Sequence, residues 1–488
     1  MSIETLNEQV RKDLSYLAIG DDNRVRPFNQ PVGHVYDAII VGGGQSGLGT
    51  AFGLLREKIS NILVIDENSE GLEGPWKTYA RMVTLRTPKH LTTIDLGIPS
   101  LTFRAWWEAQ FGQESWERMD KIPRDQWMNY LKWYRYVLQL PVINKVKLKL
   151  VEPTDEGIHK LHIEGQGAHT NLLLARKVIL ATGIQGGGEW HIPPIVTENL
   201  PRHLYAHTSE SIDFLSLKGK KVAILGGGAS AFDNAHFALS EGVAKAHVFI
   251  RRNEIPRINP IRHMEASGII ERFHTLSDAD KYAVMSHFFT HNQPPTTDMF
   301  QRASSWPGFD MHLGSPWLQV KNVDNQAVVT TPKGTFTFDF LIVSTGLVTD
   351  PALRAELKLV EGHIVRWSDR YKAPGETANP AIDAHPYLSP GFAFQSRDEK
   401  GKRLLHGIFA FNYSALISCG ISASALSGLR FSIPKLVSAV AEQLFTDNRS
   451  DILRKFFDYN EIEFTEKWPR QEQQTDSGSQ TFKYSIPS

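Results

Sequence analysis

The sequence predicts an α/β chain built from two nested, Rossmann-like dinucleotide-binding domains. Two glycine-rich loops, Gly42-Gly43-Gly44-Gln45-Ser46-Gly47 and Gly226-Gly227-Gly228-Ala229-Ser230-Ala231, follow strand-like runs from Tyr36 to Val41 and from Lys221 to Leu225. Each loop opens a small-residue helix, the context in which such a string carries weight. Two further apolar strands end in matching turns, Ala181-Thr182-Gly183 and Ser344-Thr345-Gly346, and bracket the second loop. At 488 residues the chain is too long for one ordinary core.

The elements follow in order. Residues 1–34 are a polar lead-in that closes with a loop containing Pro27 and Pro31. The first βαβ unit is a strand over 36–41, the glycine turn, a helix to about Lys58 and a strand from Asn61 to Ile65. The first glycine makes the tight turn and the second lets backbone approach a pyrophosphate. The third, Gly47 or Ala231, lets helix and strand pack closely, with the helix N-terminus facing the phosphates. Asp66 ends the strand 19 residues after Gly47, where an acid accepts hydrogen bonds from a ribose; Glu67 is the register alternative. A solvated strand-end acid is the plainer reading. The second unit differs, because its strand from Ala246 to Ile250 runs into Arg251 and Arg252. A guanidinium there clamps a 2′-phosphate, unless it is only a solvated basic strand end. The acid-ended site is therefore assigned to FAD and the arginine-ended site to NADPH.

The domain plan is a FAD domain over 35–214 and 336–466, with an NADPH domain inserted at 215–335. A helical, aromatic-rich insertion occupies about 259–317, as substrate lid or as core, and a polar tail, mobile or an inter-subunit arm, covers 467–488.

Composition narrows the function classes. Lys+Arg and Asp+Glu are equal at 53 each, so nothing calls for nucleic acid or an anionic membrane as partner. The charged N-terminus has no secretory apolar region, which fits a cytoplasmic protein. An uncharged window from Gly407 to Leu429 reads as buried strand, turn and helix rather than a membrane span, because it holds Asn412 and many serines. The single cysteine, Cys419, cannot form an intramolecular disulfide or the cysteine pair of a flavin-linked disulfide reductase. The histidines are scattered without metal-ligand spacing, so no metal is expected.

On both loops, the two Thr-Gly strands and the missing cysteine pair, the chain resembles the class B flavoprotein monooxygenases. That group comprises flavin-containing monooxygenases, Baeyer–Villiger monooxygenases and amino-acid N-hydroxylases. The resemblance extends from Val35 to Leu444. Gly74-Pro75-Trp76 is similar to the family's Gly-Gly-x-Trp turn, and Met82-Val83-Thr84-Leu85-Arg86-Thr87-Pro88 to the stretch leading into the flavin pocket. The fingerprint F-x-G-x-x-x-H-x-x-x-W/Y is only partly echoed: His207 fits, but Pro201 and His203 replace the Phe and Gly. Arg86 stands where many flavin-containing monooxygenases carry an asparagine.

The resemblance implies that NADPH reduces FAD, and that a C4a-(hydro)peroxyflavin passes one atom of O2 to a small-molecule substrate. Arg86 then steadies an anionic peroxyflavin, binds an anionic substrate or contacts a cofactor phosphate, and Arg81 is a second candidate. Asn412 hydrogen-bonds flavin or substrate, or satisfies a buried turn. His207 orients the nicotinamide, or is structural. The aromatic residues Trp106, Trp107, Trp127, Trp133, Tyr134 and Tyr136 are core, or present a flat face to a heterocycle. The expected activity is oxygen insertion into a nitrogen-containing or anionic heterocyclic molecule such as a purine. Amine or amino-acid N-hydroxylation, an NADPH oxidase or reductase serving a quinone or partner, and a non-catalytic flavin redox sensor are the alternatives. A homo-oligomer is compatible with all of them.

Overall fold

Strands buried on both faces read as continuous apolar runs, which is how a helix-covered parallel sheet is written. Val35–Val41 and Ile62–Asp66 are of this kind. The computed structural model describes residues 2–20, 22–28, 33–167, 170–291, 293–375 and 378–466. The lead-in's Pro31 and the tail assigned to 467–488 lie outside the described residues.

The first sheet runs Val142–Asn144, Ile62–Asp66, Val35–Val41, Leu172–Gly183, His159–Glu164, Lys147–Pro153. Ile408–Asn412 also pairs with Leu172–Gly183, in parallel. The strands around Val35–Val41 are parallel, and the last two form an antiparallel extension. The second sheet runs Phe309–His312, Lys245–Phe249, Lys221–Leu225, Phe340–Val343, Tyr205–His207, all parallel. An antiparallel meander, Gln319–Val323, Gln326–Thr331 and Gly334–Phe338, packs through Val320, Ala327 and Phe338 against the second sheet's Phe249 and Leu341.

The domain boundaries shift from those read in the sequence. Tyr205–His207 and Phe340–Val343 pair within the second sheet, so that unit is wider than 215–335. The Ser-Thr-Gly strand therefore belongs to the second sheet, and its Ala-Thr-Gly twin to the first. Pairing decides this, because both are apolar strands with the same ending. The chain passes between the sheets along Gly188–Trp190 and Leu347–Thr349, which pair antiparallel. The helical insertion, Pro260–Ala266, Ile269–Arg272, Asp278–His291 and Thr297–Ser304, stops short of 317, because Phe309–His312 joins the second sheet.

The lead-in is not merely polar. Ile3–Tyr16 is a helix whose Ser2 side chain caps the Thr5 N–H, and its Leu6 and Val10 enter the first core. Their i, i+4 spacing makes a narrow apolar stripe on a charged helix. The window 407–429 is a fully buried strand, Ile408–Asn412, followed by short helical turns and the start of the helix Leu426–Asp447. Among the described residues no single helix is long and apolar enough to cross a membrane. The segment from Phe445 onward is a separate unit, in which the helix Arg449–Phe457 buries no residue.

Candidate active site

The two glycine loops are built alike. Gly42 and Gly226 have φ of 112° and 144°, which an L side chain rarely adopts. Their N–H groups donate to the Ile65 and Phe249 carbonyls, at 2.8 and 3.0 Å. A Cβ at Gly42 would strike the Ala181 carbonyl, and one at Gly226 the Ser344 carbonyl. Each Thr-Gly strand thus has a physical role: the residue before its threonine presses on the first glycine of its own loop. A Cβ at Gly47 would also collide with the Gly42 carbonyl, whereas the second loop accommodates Ala231.

The cradles fit two dinucleotides. Gly44 heads the helix Gln45–Arg56, and a Cβ there would meet nothing closer than 3.9 Å. Gly228 heads the helix Ala229–Ser240, where the nearest atom, the Gln293 carbonyl oxygen, lies 3.7 Å from such a Cβ. Both N-termini stand open to backbone-bound phosphate, although the Gln293 carbonyl accepts from the Ala229 N–H at 3.2 Å. The Trp127 indole donates to Gln45 Oε1 at 3.0 Å and packs edge-on to Trp76, so the Gly-Pro-Trp turn is held against the first loop. Ser46 is buried in the first turn of that helix, while Ser230 lies on the exposed side of the second.

Asp66 is the acid the structure brings to the first loop. Its carboxylate accepts from the Gly43 N–H at 2.7 Å and from the Asn68 N–H at 2.8 Å, and burial raises its pKa. The register alternative, Glu67, turns away to pair with Lys147 at 2.8 Å on the surface. Successive strand side chains point to opposite faces, so only one of the two can meet the loop. At the second loop both arginines are exposed. The Arg252 guanidinium donates to the Thr290 carbonyl at 2.8 Å, while Arg251 has no partner among the described residues.

Arg86 and Arg81 stitch the first unit to the second. Arg86 pairs with Asp233 at 2.8 Å and donates to Gln293 Oε1 at 3.2 Å. Asp233 is buried in the helix after the second loop, and burial raises its pKa against the pull of Arg86. Arg81 lies over the Phe214 ring and donates to Asn234 Oδ1 at 3.1 Å and to the Thr208 and Glu210 carbonyls. Burial first, and then Arg124, lowers its pKa to about 10. The structure therefore ties both arginines to the helix behind the second loop. The sequence reading overlooked Asp233 and Asn234, although an adjacent polar pair inside a small-residue helix was a visible signal.

Asn412 and Thr182 meet at the C-terminal edge of the first sheet. Asn412 Nδ2 donates to Thr182 Oγ1 at 3.1 Å, and its Oδ1 accepts from the Ser414 N–H at 2.9 Å, the arrangement of a buried turn. Gly183 takes φ of 66° beside them. His207 is buried and stacked on Trp190 at 5.0 Å; burial, opposed by Glu210, pushes it down to about 4, so it is neutral. Thr345 donates to the His191 carbonyl and the Gly346 carbonyl accepts from the His191 N–H at 2.9 Å, so this pair pins the inter-sheet link.

Of the aromatic group, Trp106, Trp107, Trp127, Trp133 and Tyr134 are core, and Tyr136 is exposed. One expectation is corrected. Parallel register sets His247 opposite Asp310 and Phe249 opposite His312, so His247, Asp310 and His312 do cluster, with 3.0 Å between the two imidazoles. Histidines 65 positions apart carry no such spacing in the sequence.

Residues 39–294 match the family of pyridine nucleotide-disulphide oxidoreductases, over half of the chain. The chain belongs to this family. It is 57% identical over 471 residues to the FAD-dependent urate hydroxylase of Xanthomonas campestris pv. campestris, covering 96% of this chain and 99% of that one. The fold is shared with ornithine hydroxylase from Pseudomonas aeruginosa, at a TM-score of 0.66 and 16% identity over 84% of this chain and 100% of that one. L-lysine 6-monooxygenase from Pseudomonas syringae follows, at 0.60 and 15% identity over 84% and 99%. This family member is an FAD-dependent oxidoreductase. Its one cysteine, Cys419, is buried, and burial pushes the thiol up to about 12, so it supplies none of the disulfide chemistry in the family's name.

Proposed function

We propose that this enzyme hydroxylates urate or a closely similar purine anion, with NADPH as reductant and O2 as the oxygen source. The carrying observation is the 57% identity to a urate hydroxylase across nearly the whole of both chains. The reaction balances: urate, O2, NADPH and a proton give hydroxylated urate, water and NADP+. Bound FAD supplies the oxygen-activating chemistry. The protein's part is to hold, orient and exclude water. In this reading the Gly42 loop, Asp66 and the Trp76 turn hold FAD, while the Gly226 loop and Arg251 hold NADPH. Arg86 fixes the segment 82–88 against the helix behind the NADPH loop, where a charge is available to cofactor phosphate. Asn412 and Thr182 shape the edge at which flavin and substrate meet.

Purified holoenzyme is expected to lose urate absorbance mole for mole with NADPH oxidised, releasing no peroxide. Ornithine and lysine should leave the rate unaltered. Should urate be spared while all electrons emerge as peroxide, the enzyme is an oxidase and the proposal fails.

A further inference from the structure

Two histidines and an aspartate converge at the outer edge of the second sheet. His247 lies in Lys245–Phe249, and Asp310 and His312 lie in the edge strand Phe309–His312. Parallel pairing sets His247 beside Asp310 and Phe249 beside His312, so strand alternation puts all four side chains on one face. The other face carries Ala246, Val248, Phe309 and Met311 into the core shared with the helix Ala229–Ser240. The donor atoms of the trio point at one another. His247 Nδ1 and His312 Nε2 are 3.0 Å apart, and Asp310 Oδ2 lies 3.6 Å from the second nitrogen and 4.0 Å from the first. Asp310 Oδ1 accepts from the Met311 N–H at 2.8 Å, which fixes the carboxylate with its other oxygen toward the imidazoles.

These spacings separate a metal site from a hydrogen-bonded trio. One proton satisfies the imidazole pair, but Oδ2 is too far from either nitrogen for a good hydrogen bond. Metal–ligand lengths of about 2.1 Å in a tetrahedron set ligand atoms roughly 3.4 Å apart, within the span of the three separations. The rings are held ready for it. His312 stacks on buried Phe249 at 4.5 Å and meets Phe336 at 4.8 Å, while His247 lies edge-on to Phe338 at 5.4 Å. Side chains already ordered by packing lose little freedom on binding. The Asp310 side chain is 55% exposed, which leaves an entry path and room for water in a fourth position. Its charge also offsets the ammonium groups of Lys221, Lys245 and Lys333, which act on the same imidazoles. Two imidazole nitrogens and one carboxylate suit zinc and the other late first-row divalent ions, whereas magnesium and calcium take oxygen ligands.

We propose that His247, Asp310 and His312 bind a divalent cation of the zinc class, which staples the edge strand of the second sheet. The staple acts next to the arginine end of the second loop's unit: the Ile250 N–H donates to the His312 carbonyl at 3.0 Å, and Ile250 precedes Arg251. Holoenzyme stripped with a chelator and titrated with zinc chloride in a calorimeter should bind one zinc per chain and melt at a higher temperature in its presence. Magnesium chloride should do neither. Cobalt(II) in place of zinc should add visible bands beyond the flavin absorption, as tetrahedral coordination does. His247→Gln should abolish the zinc heat and the zinc-dependent rise in melting temperature. Asp310→Asn should weaken zinc by more than about tenfold, since losing even a residue that merely orients a ligand costs about that much. Both variants are first checked for flavin content and for melting without metal; if His247→Gln does not fold, Asp310→Asn at its exposed position decides. A folded wild type that takes up no zinc, or zinc uptake that Asp310→Asn leaves unchanged, would overturn the site.

Discussion

Arg251 and Arg252 are neighbours at one strand end, yet their surroundings separate them. Arg252 spends its guanidinium on the Thr290 carbonyl and its own carbonyl on the Gly314 N–H, while Arg251 is exposed and unpartnered among the described residues. The proposed 2′-phosphate contact thus narrows to Arg251. Arg251→Ala should raise the KM for NADPH about 10- to 100-fold and leave that for NADH nearly unchanged, as befits loss of a charge-assisted contact. Steady-state kinetics with both nucleotides check this, and an unaltered NADPH/NADH ratio would exclude the role. The arginine pair was legible from the sequence, but the division of labour was not, since Thr290 lies 38 positions away. Arg86 shows the same limit. Its charge was evident, but its partner Asp233 is 147 positions distant and becomes a neighbour only when the two units meet.

At the scale of the element, each strand, loop and helix is specified by close backbone approach. The first loop is the tighter one. Gly47→Ala would drive a methyl group into the Gly42 carbonyl, while the second loop already carries alanine at the matching position. Gly47→Ala protein should therefore purify with most of its flavin lost, read as the ratio of visible to ultraviolet absorbance. Ala231→Gly should stay yellow and lose only about 1 kcal/mol from helix entropy. Full flavin content in Gly47→Ala would show that the loop relaxes. These loops were plain in the sequence because their constraints are local: a turn, a positive φ and one helix crossing one strand. The helix Ile3–Tyr16 was missed because charged residues dilute its narrow apolar stripe.

Across the whole molecule, buried imidazoles tie stability to pH. His159, His207 and His385 are each pushed from 6.5 to about 4, in every case chiefly by burial. The unfolded chain takes up these protons near 6.5, whereas the folded chain resists until about 4. Between those values the unfolded state binds more protons, so stability is complete above the window and lost as pH falls through it. Buried Asp37, Asp66, Asp95 and Asp233 are raised by desolvation and act in the opposite sense. A comparison isolates the histidine effect. The melting temperature should fall on acidification through this window, and less steeply in His385→Gln than in the wild type. Equal slopes would show that His385 takes no part.

The residues by themselves determined the two glycine-rich loops, the acid that faces the first and the arginines that follow the second. They also determined the absence of a cysteine pair. All of these follow from chemistry acting over a few covalent bonds or one strand–turn–helix unit. Tertiary structure alone decided that the two Thr-Gly strands serve different sheets. It also decided that Arg81 and Arg86 clamp one unit to the other. Each of these depends on which distant segments share a burial site, and burial is a property of the packed chain.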